Sequence, residues 1–168
     1  MQKRTRKPRK EKLYDEEVIE IRSVIKVNKG GRQRRFSVTV VVGDRKGQVG
    51  IATGKAVEIP NAITKAVNKA TKNIQKIDLV DNRTISHESI GHEGSTKVLL
   101  KPAKEGTGIV AGGAVRSVME LAGIKDIVSK SLGARTKKNM AMAALQALQN
   151  QKNIETVARL RDKKLEEL

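Results

Sequence analysis

The chain contains no cysteine. That excludes disulfides, cysteine nucleophiles and thiolate zinc sites together, and it fits a reducing compartment. Aromatic residues are nearly as scarce: Tyr14 and Phe36 stand alone, and tryptophan is absent. Readers of single-stranded nucleic acid stack bases on aromatic platforms, a mode this composition does not support. The only histidines are His87 and His92. No apolar run approaches the roughly 20 residues of a membrane span. The basic N-terminus lacks the apolar segment of a secretion signal, so no secretion is expected.

What the chain has instead is positive charge. Lysine and arginine total 35 against 18 aspartates and glutamates, a formal net charge of +17. An excess of that size points to a polyanionic partner: RNA, DNA or an anionic membrane. With so few aromatics, a nucleic acid would be held through phosphates, 2′-hydroxyls and shape. A length of 168 residues allows one medium domain or two small ones.

The positive charge is concentrated in two places near the N-terminus. Residues 1–12 lack apolar periodicity and read, within a basic arm over 1–16, as a segment that orders on a polyanion. Residues 26–35 run Lys-Val-Asn-Lys-Gly-Gly-Arg-Gln-Arg-Arg, with no acid among them. Alternating or β-branched runs flank them at 18–27 and 36–42, so the stretch reads as the tip of a β-hairpin. It would hold Lys26, Lys29, Arg32, Arg34 and Arg35 in solvent. A turn at 43–47 and a third strand at 48–53, ending at Gly54-Lys55, complete three antiparallel strands. A helix follows, with Pro60 in its first turn. Its apolar stripe is Ile59, Ala62, Ile63, Ala66, Val67, Ala70 and Ile74. Lys65, Lys69, Lys72 and Lys76 line another face, either as solvated side chains or as phosphate contacts.

A second unit begins near residue 76. Strands are expected at 84–90 and 96–101, then a Gly-rich connector over 102–113. The stripe Val110, Ala114, Val115, Val118, Leu121 and Ala122 predicts a helix closed by Gly123. A short strand at 124–128 and a helix reaching Leu148, capped by Thr136 or Asn139, follow. The order is β-β-α-β-α, and the general rule for parallel crossovers is a right-handed one. Residues 151–168 read as a helical tail.

Three motifs suggest chemistry without completing it. Gly50-Ile51-Ala52-Thr53-Gly54-Lys55 has one residue too few between its glycines for a phosphate loop, and Ala56 follows the lysine. Gly106-Thr107-Gly108-Ile109-Val110-Ala111 matches a relaxed dinucleotide pattern, but too little sheet surrounds it. His87-Glu88 and His92-Glu93 lack the helical spacing of a metalloprotease site and have no further ligands. No metal, cofactor, catalytic residue or small-molecule substrate is therefore assigned, and no enzyme activity is expected.

A longer series is more specific. It begins with Lys29-Gly30-Gly31-Arg32, Phe36-Ser37, Val41-Val42-Gly43-Asp44, Gly47-Gln48-Val49-Gly50 and Gly54-Lys55-Ala56. Then come Glu58-Ile59-Pro60-Asn61-Ala62-Ile63, Leu100-Lys101-Pro102-Ala103, Glu105-Gly106-Thr107-Gly108-Ile109, Ala111-Gly112-Gly113, Val118-Met119-Glu120-Leu121-Ala122-Gly123-Ile124 and Lys130-Ser131-Leu132-Gly133. In this order and spacing, the chain resembles the bacterial family of small-subunit ribosomal protein five over most of its length. Where that family often has Asn-Pro after Gly133, this chain has Ala134-Arg135-Thr136-Lys137-Lys138.

The resemblance implies an α+β protein of two domains. Residues 17–75 would form a β-β-β-α unit like a double-stranded-RNA-binding domain. Residues 76–150 would form the family's C-terminal α/β unit, whose crossover is left-handed, and the family pattern takes precedence over the general rule. It further implies a structural component of the cytoplasmic small ribosomal subunit that contacts 16S ribosomal RNA, small-subunit proteins four and eight, and mRNA at its entry channel. Support for mRNA unwinding and decoding accuracy would follow. The candidate RNA contacts are Lys26, Lys29, Gly30, Gly31, Arg32, Arg34, Arg35, Lys55, Lys65, Lys69 and Lys72. Glu105, Gly106, Thr107, Gly108 and Arg116 would face protein four. The competing readings are a free regulator that binds double-stranded RNA and a phosphate binder related to small-molecule kinases.

Overall fold

The computed structural model describes residues 13–162. The basic segment 1–12 and residues 163–168 lie outside that range. The fold is α+β, with two four-stranded sheets.

In the first sheet β1 (Asp15–Asn28) and β2 (Gly31–Gly43) form one long antiparallel hairpin. Asn28 stands opposite Gly31, which leaves Lys29 and Gly30 as the turn. β3 (Gln48–Ala56) pairs with β2 only from Phe36 to Gly43. The two-residue β4 (Gln75–Lys76) closes the far edge. β2 is β-branched on both sides where it is covered on both sides. Val38, Val40 and Val42 pack on α1 (Ile59–Lys72), whereas Val41 joins Val49 and Ile51 in a core shared with the second unit.

The stripe of α1 is narrower than its sequence spacing suggests. Ala62, Ala66 and Ala70 are fully buried, while Ile63 and Val67 sit at the margin. The helix ends at Lys72 with Asn73 as its cap, so Ile74 lies beyond it and Lys76 belongs to β4, not to a helical lysine row. Gly50 and Gly54 explain the close seat. A Cβ on Gly50 would lie 2.5 Å from the carbonyl oxygen of Ala70, and one on Gly54 would overlap that of Ala62. Both glycines lie within β3, which continues through Gly54-Lys55 instead of turning there. The phosphate-loop likeness is thus a strand that admits helix backbone.

The second sheet runs β5-β6-β8-β7. β5 (Ser89–Glu93) starts later than the expected 84–90, because Thr84 is engaged elsewhere: its backbone bridges Val80, and its hydroxyl donates to the Asp126 carbonyl at 2.7 Å. β6 (Thr96–Pro102) pairs antiparallel with β8 (Ile127–Gly133). β8 begins three residues after the expected 124, since Ile124 is buried where the preceding helix ends. The parallel partner of β8 is β7 (Ile109–Val110), a two-residue strand inside what reads as a connector. The crossover between them carries α2 (Gly113–Ala122), closed by Gly123 in the left-handed conformation at φ 86°. α3 (Lys137–Gln149) starts after Thr136, whose hydroxyl makes no capping bond. α4 (Ile154–Leu160) follows, with Ala158 buried.

The two units share backbone as well as core. The turn after β2 sends the Arg45 N–H to the Leu121 carbonyl at 3.0 Å and the Gly47 N–H to that of Ala122 at 2.9 Å. These bonds satisfy carbonyls at the C-terminus of α2 that the helix itself leaves open. Ser117 on α2 also donates to Glu17 on β1 at 2.8 Å.

Candidate nucleic-acid interface

The β1–β2 hairpin outgrows the sheet. Beyond the Phe36–Ala56 pair, β2 has no third strand beside it, so residues 31–35 and their partners project as an arm. Side chains alternate between faces along a strand. Arg32 and Arg34 therefore share the side of Val38 and α1, with Ile25 and Val27 opposite them. Arg35 and Lys26 lie on the other side, with Lys55 of β3, whose register partner is Ser37 of β2.

The arm is exposed on both faces. Ile25 and Val27 are 58% and 70% exposed, which marks the arm as a surface made for contact and not for a core. Arg34 is held in place: its guanidinium lies 5.3 Å from the Phe36 ring centroid, and its Nε donates to the Ser23 hydroxyl at 2.9 Å. Lys26, Lys29, Arg32 and Arg35 form no ion pair among the described residues. At the tip, Gly31 has φ 135°, a conformation side chains rarely adopt, whereas Gly30 needs no such freedom. A Cβ on either would meet nothing within 4 Å.

The helical lysines divide. Lys65 lines a groove of about 510 Å³ between the end of β3 and the start of α1, on the side of the sheet where the arm begins. Lys69 and Lys72 occupy the last turn, where their charge also complements the helix dipole. Lys55 and Lys65 thus lie at the base of the arm, whereas Lys69 and Lys72 lie toward the other end of β3, where Gly50 packs against Ala70.

The other candidate surface lies at the start of α2. The Glu105–Gly108 loop is fixed by Asp126, whose Oδ1 accepts the Gly108 N–H at 2.8 Å and whose Oδ2 meets Arg83 at 3.3 Å. The Gly108 N–H holds the Asp126 carboxyl below its ordinary pKa; burial opposes this, and the Arg83 guanidinium adds to it. Thr107 folds back on Lys104, its hydroxyl donating to the Lys104 carbonyl at 2.8 Å. Gly106 and Gly108 have φ of 84° and 72° with open space beside them. Arg116, in the first turn of α2, pairs with Glu120 at 2.7 Å. Sequence reasoning missed Asp126; an aspartate after Gly123-Ile124-Lys125 carries no signal until the fold brings Gly108 to it.

His87 serves structure. Its Nε2 accepts the Lys152 N–H at 3.1 Å, so Nδ1 carries the proton and donates to the Glu88 carbonyl at 2.7 Å. Among the described residues, no group of three His, Asp or Glu residues could hold a metal, and no helix is long and apolar enough to cross a membrane.

A cationic hairpin arm on a helix-backed sheet, fused to an α/β unit, defines a class of basic α+β proteins built to meet a polyanion. Comparison makes the class particular. The family model of the ribosomal protein S5 N-terminal domain matches residues 14–78, and that of the ribosomal protein S5 C-terminal domain matches residues 91–161. Small ribosomal subunit protein uS5 of Mycoplasmoides gallisepticum is 47% identical over 155 residues, 92% of this chain and 69% of that protein. Its counterpart in Malacoplasma penetrans is 46% identical over 154 residues, 92% of this chain and 66% of that protein. The chain belongs to the ribosomal protein S5 family, and it spans about two thirds of the length of these relatives.

Proposed function

We propose that the protein is a non-catalytic constituent of the small subunit of the cytoplasmic ribosome that binds 16S ribosomal RNA. The observation that carries this reading is the arm: Lys26, Lys29, Arg32 and Arg35 stand beyond the supporting strand, without acid partners among the described residues, in a chain of this family. Lys55 and Lys65 extend the contact at the base of the arm, and Lys69 and Lys72 continue it along α1 toward the other end of the sheet. The start of α2, with Glu105–Gly108 and Arg116, is the surface for small-subunit protein four, and protein eight is a further neighbour. Support for mRNA entry and decoding accuracy follows from that placement.

Binding through phosphates releases counterions, so log K falls against log salt by roughly 0.7 to 0.9 per contact. Titration of the full chain with 16S ribosomal RNA over increasing salt is expected to give a steep line. The double variant Lys29→Glu/Arg32→Glu should weaken binding and flatten that line, with circular dichroism unchanged. A flat response in the wild type sinks the reading. Sedimentation separates the alternative: a free double-stranded-RNA regulator would not travel with small subunits at stoichiometric yield.

A further inference from the structure

Where the two units meet, two adjoining clefts of about 410 and 460 Å³ open. The first is lined by Arg45, Lys46, Leu79, Asn82, Gly123 and Lys125, and the second shares Arg45, Gly123 and Lys125. Lys46 comes from the β2–β3 turn and Lys125 from the segment after α2, so the fold brings together cations that are far apart in sequence. Both are exposed, and neither has an ion-pair partner among the described residues.

Three negative groups near the clefts have partners, whereas Asp78 and Asp81, beside the lining residues Leu79 and Asn82, form no ion pair among the described residues. Glu120, on the wall of the second, is held by Arg116, and Asp15 pairs with Arg45 at 2.9 Å. Asp44 accepts the N–H groups of Lys46 and Gln48 at 2.7 and 2.9 Å. The C-terminus of α2 also points here, and a helix C-terminus is ordinarily a negative end. Its carbonyls, however, receive the N–H groups of Arg45, Gly47, Gly123 and Ile124. Lys46 and Lys125 are left without a direct ion pair among the described residues.

The walls are also set in advance. Arg45 and Asn82 adopt φ of 57° and 50° without being glycine, and Gly123 has φ 86°. A Cβ on Gly123 would overlap the Arg45 carbonyl. Backbone held in sparsely populated conformations is maintained by its surroundings and tends to gather at binding sites. No aromatic residue lines either cleft, so bases have no platform to stack on. Lysine ammoniums suit phosphate oxygens, and the Asn82 amide suits a 2′-hydroxyl.

We propose that this cleft is a second phosphodiester site, in which Lys46 and Lys125 hold the backbone of folded RNA across both units. The proposal rests on the RNA-binding reading above. Its test uses the full chain and 16S ribosomal RNA. Lys46→Ala/Lys125→Ala should lower the salt slope by roughly 1.4 to 1.8 and weaken binding about 30-fold at ~0.1 M salt, two contacts' worth. Lys46→Arg/Lys125→Arg should retain the slope, and the urea midpoint should not move in either variant. If the alanine pair binds like wild type while Lys29→Glu/Arg32→Glu binds weakly, the cleft is overturned and the arm stands. If the wild type shows no salt-dependent RNA binding, both fall. Inorganic phosphate provides the last arm: if it shifts the Lys46 and Gly123 amide resonances while the alanine pair leaves RNA affinity unchanged, the cleft takes free anions and the proposal is overturned.

Discussion

The outer half of the β1–β2 hairpin and the inner half of the same two strands obey opposite rules. Val38, Val40, Val41 and Val42 are at most 1% exposed, and both faces of β2 are covered there. A few residues away Arg32, Arg34 and Arg35 are exposed, with Ile25 and Val27 beside them. Glycine shows the same contrast: Gly43 and Gly54 have no room for a methyl group, and Gly30 and Gly31 have nothing around them. One pair of strands therefore carries two kinds of constraint. The inner half is fixed by what it must exclude, and the outer half by what it must present.

The sharpest way to break that comparison is to change side-chain size at each end. Gly54→Ala should destabilise the protein by about 3 kcal/mol, because the new methyl group meets α1 backbone that cannot swing aside. Val40→Ala should cost about 2 kcal/mol through lost burial and a residual cavity. Ile25→Ala, a larger truncation on paper, should change stability by less than about 0.5 kcal/mol. Urea unfolding of the three variants checks the order. If Ile25→Ala proves as costly as Val40→Ala, the arm is part of the core and the comparison fails.

Asp126 carries the inner rule into the second unit, because its carboxylate is matched to the Gly108 N–H and to Arg83. Its pKa in the folded chain lies below the ordinary 3.8. The stabilisation it provides is therefore present above the unfolded value and lost as pH falls through the folded one. Asp126→Asn should remove that dependence, so its stability declines less steeply than that of the wild type in acid below about pH 4. Hydrogen exchange at the Gly108 amide should rise together with the loss. Parallel acid-unfolding curves for the two proteins would show that the loop is not held by this charge.

Much of the fold could be read from residue pattern. Two glycines between alternating runs mark the hairpin, Pro60 before a small-residue stripe marks α1, and Gly123 after its apolar series marks the end of α2. Each is a local signal, and each survives in the structure. What could not be read depends on pairing. Ile109 and Val110 are a strand only because β8 lies beside them. Thr84 and Ile85 have strand propensity, but a hydroxyl spent on the Asp126 carbonyl holds the chain otherwise. The cationic set was visible as composition, whereas its division between two sheet faces needs the register. Arg45, Lys46 and Lys125 escaped notice because nothing in sequence joins a turn after β2 to the end of α2.

The finest test is at the arm's tip, where two adjacent glycines differ only in backbone. Gly31→Ala places a side chain at φ 135° and should cost about 1 kcal/mol. Gly30→Ala meets neither strain nor neighbour in the free protein and should leave stability within about 0.5 kcal/mol of wild type. Its effect on 16S RNA affinity is then informative because folding is removed from the comparison. If RNA backbone lies against the tip, the added methyl group stands in its way and affinity drops severalfold, with the salt slope preserved because no cation has been lost. If affinity is unchanged, the glycine pair serves the turn alone, and the arm holds RNA only by its lysines and arginines. The expected result is the first, since Gly31 alone already supplies the conformation the turn requires.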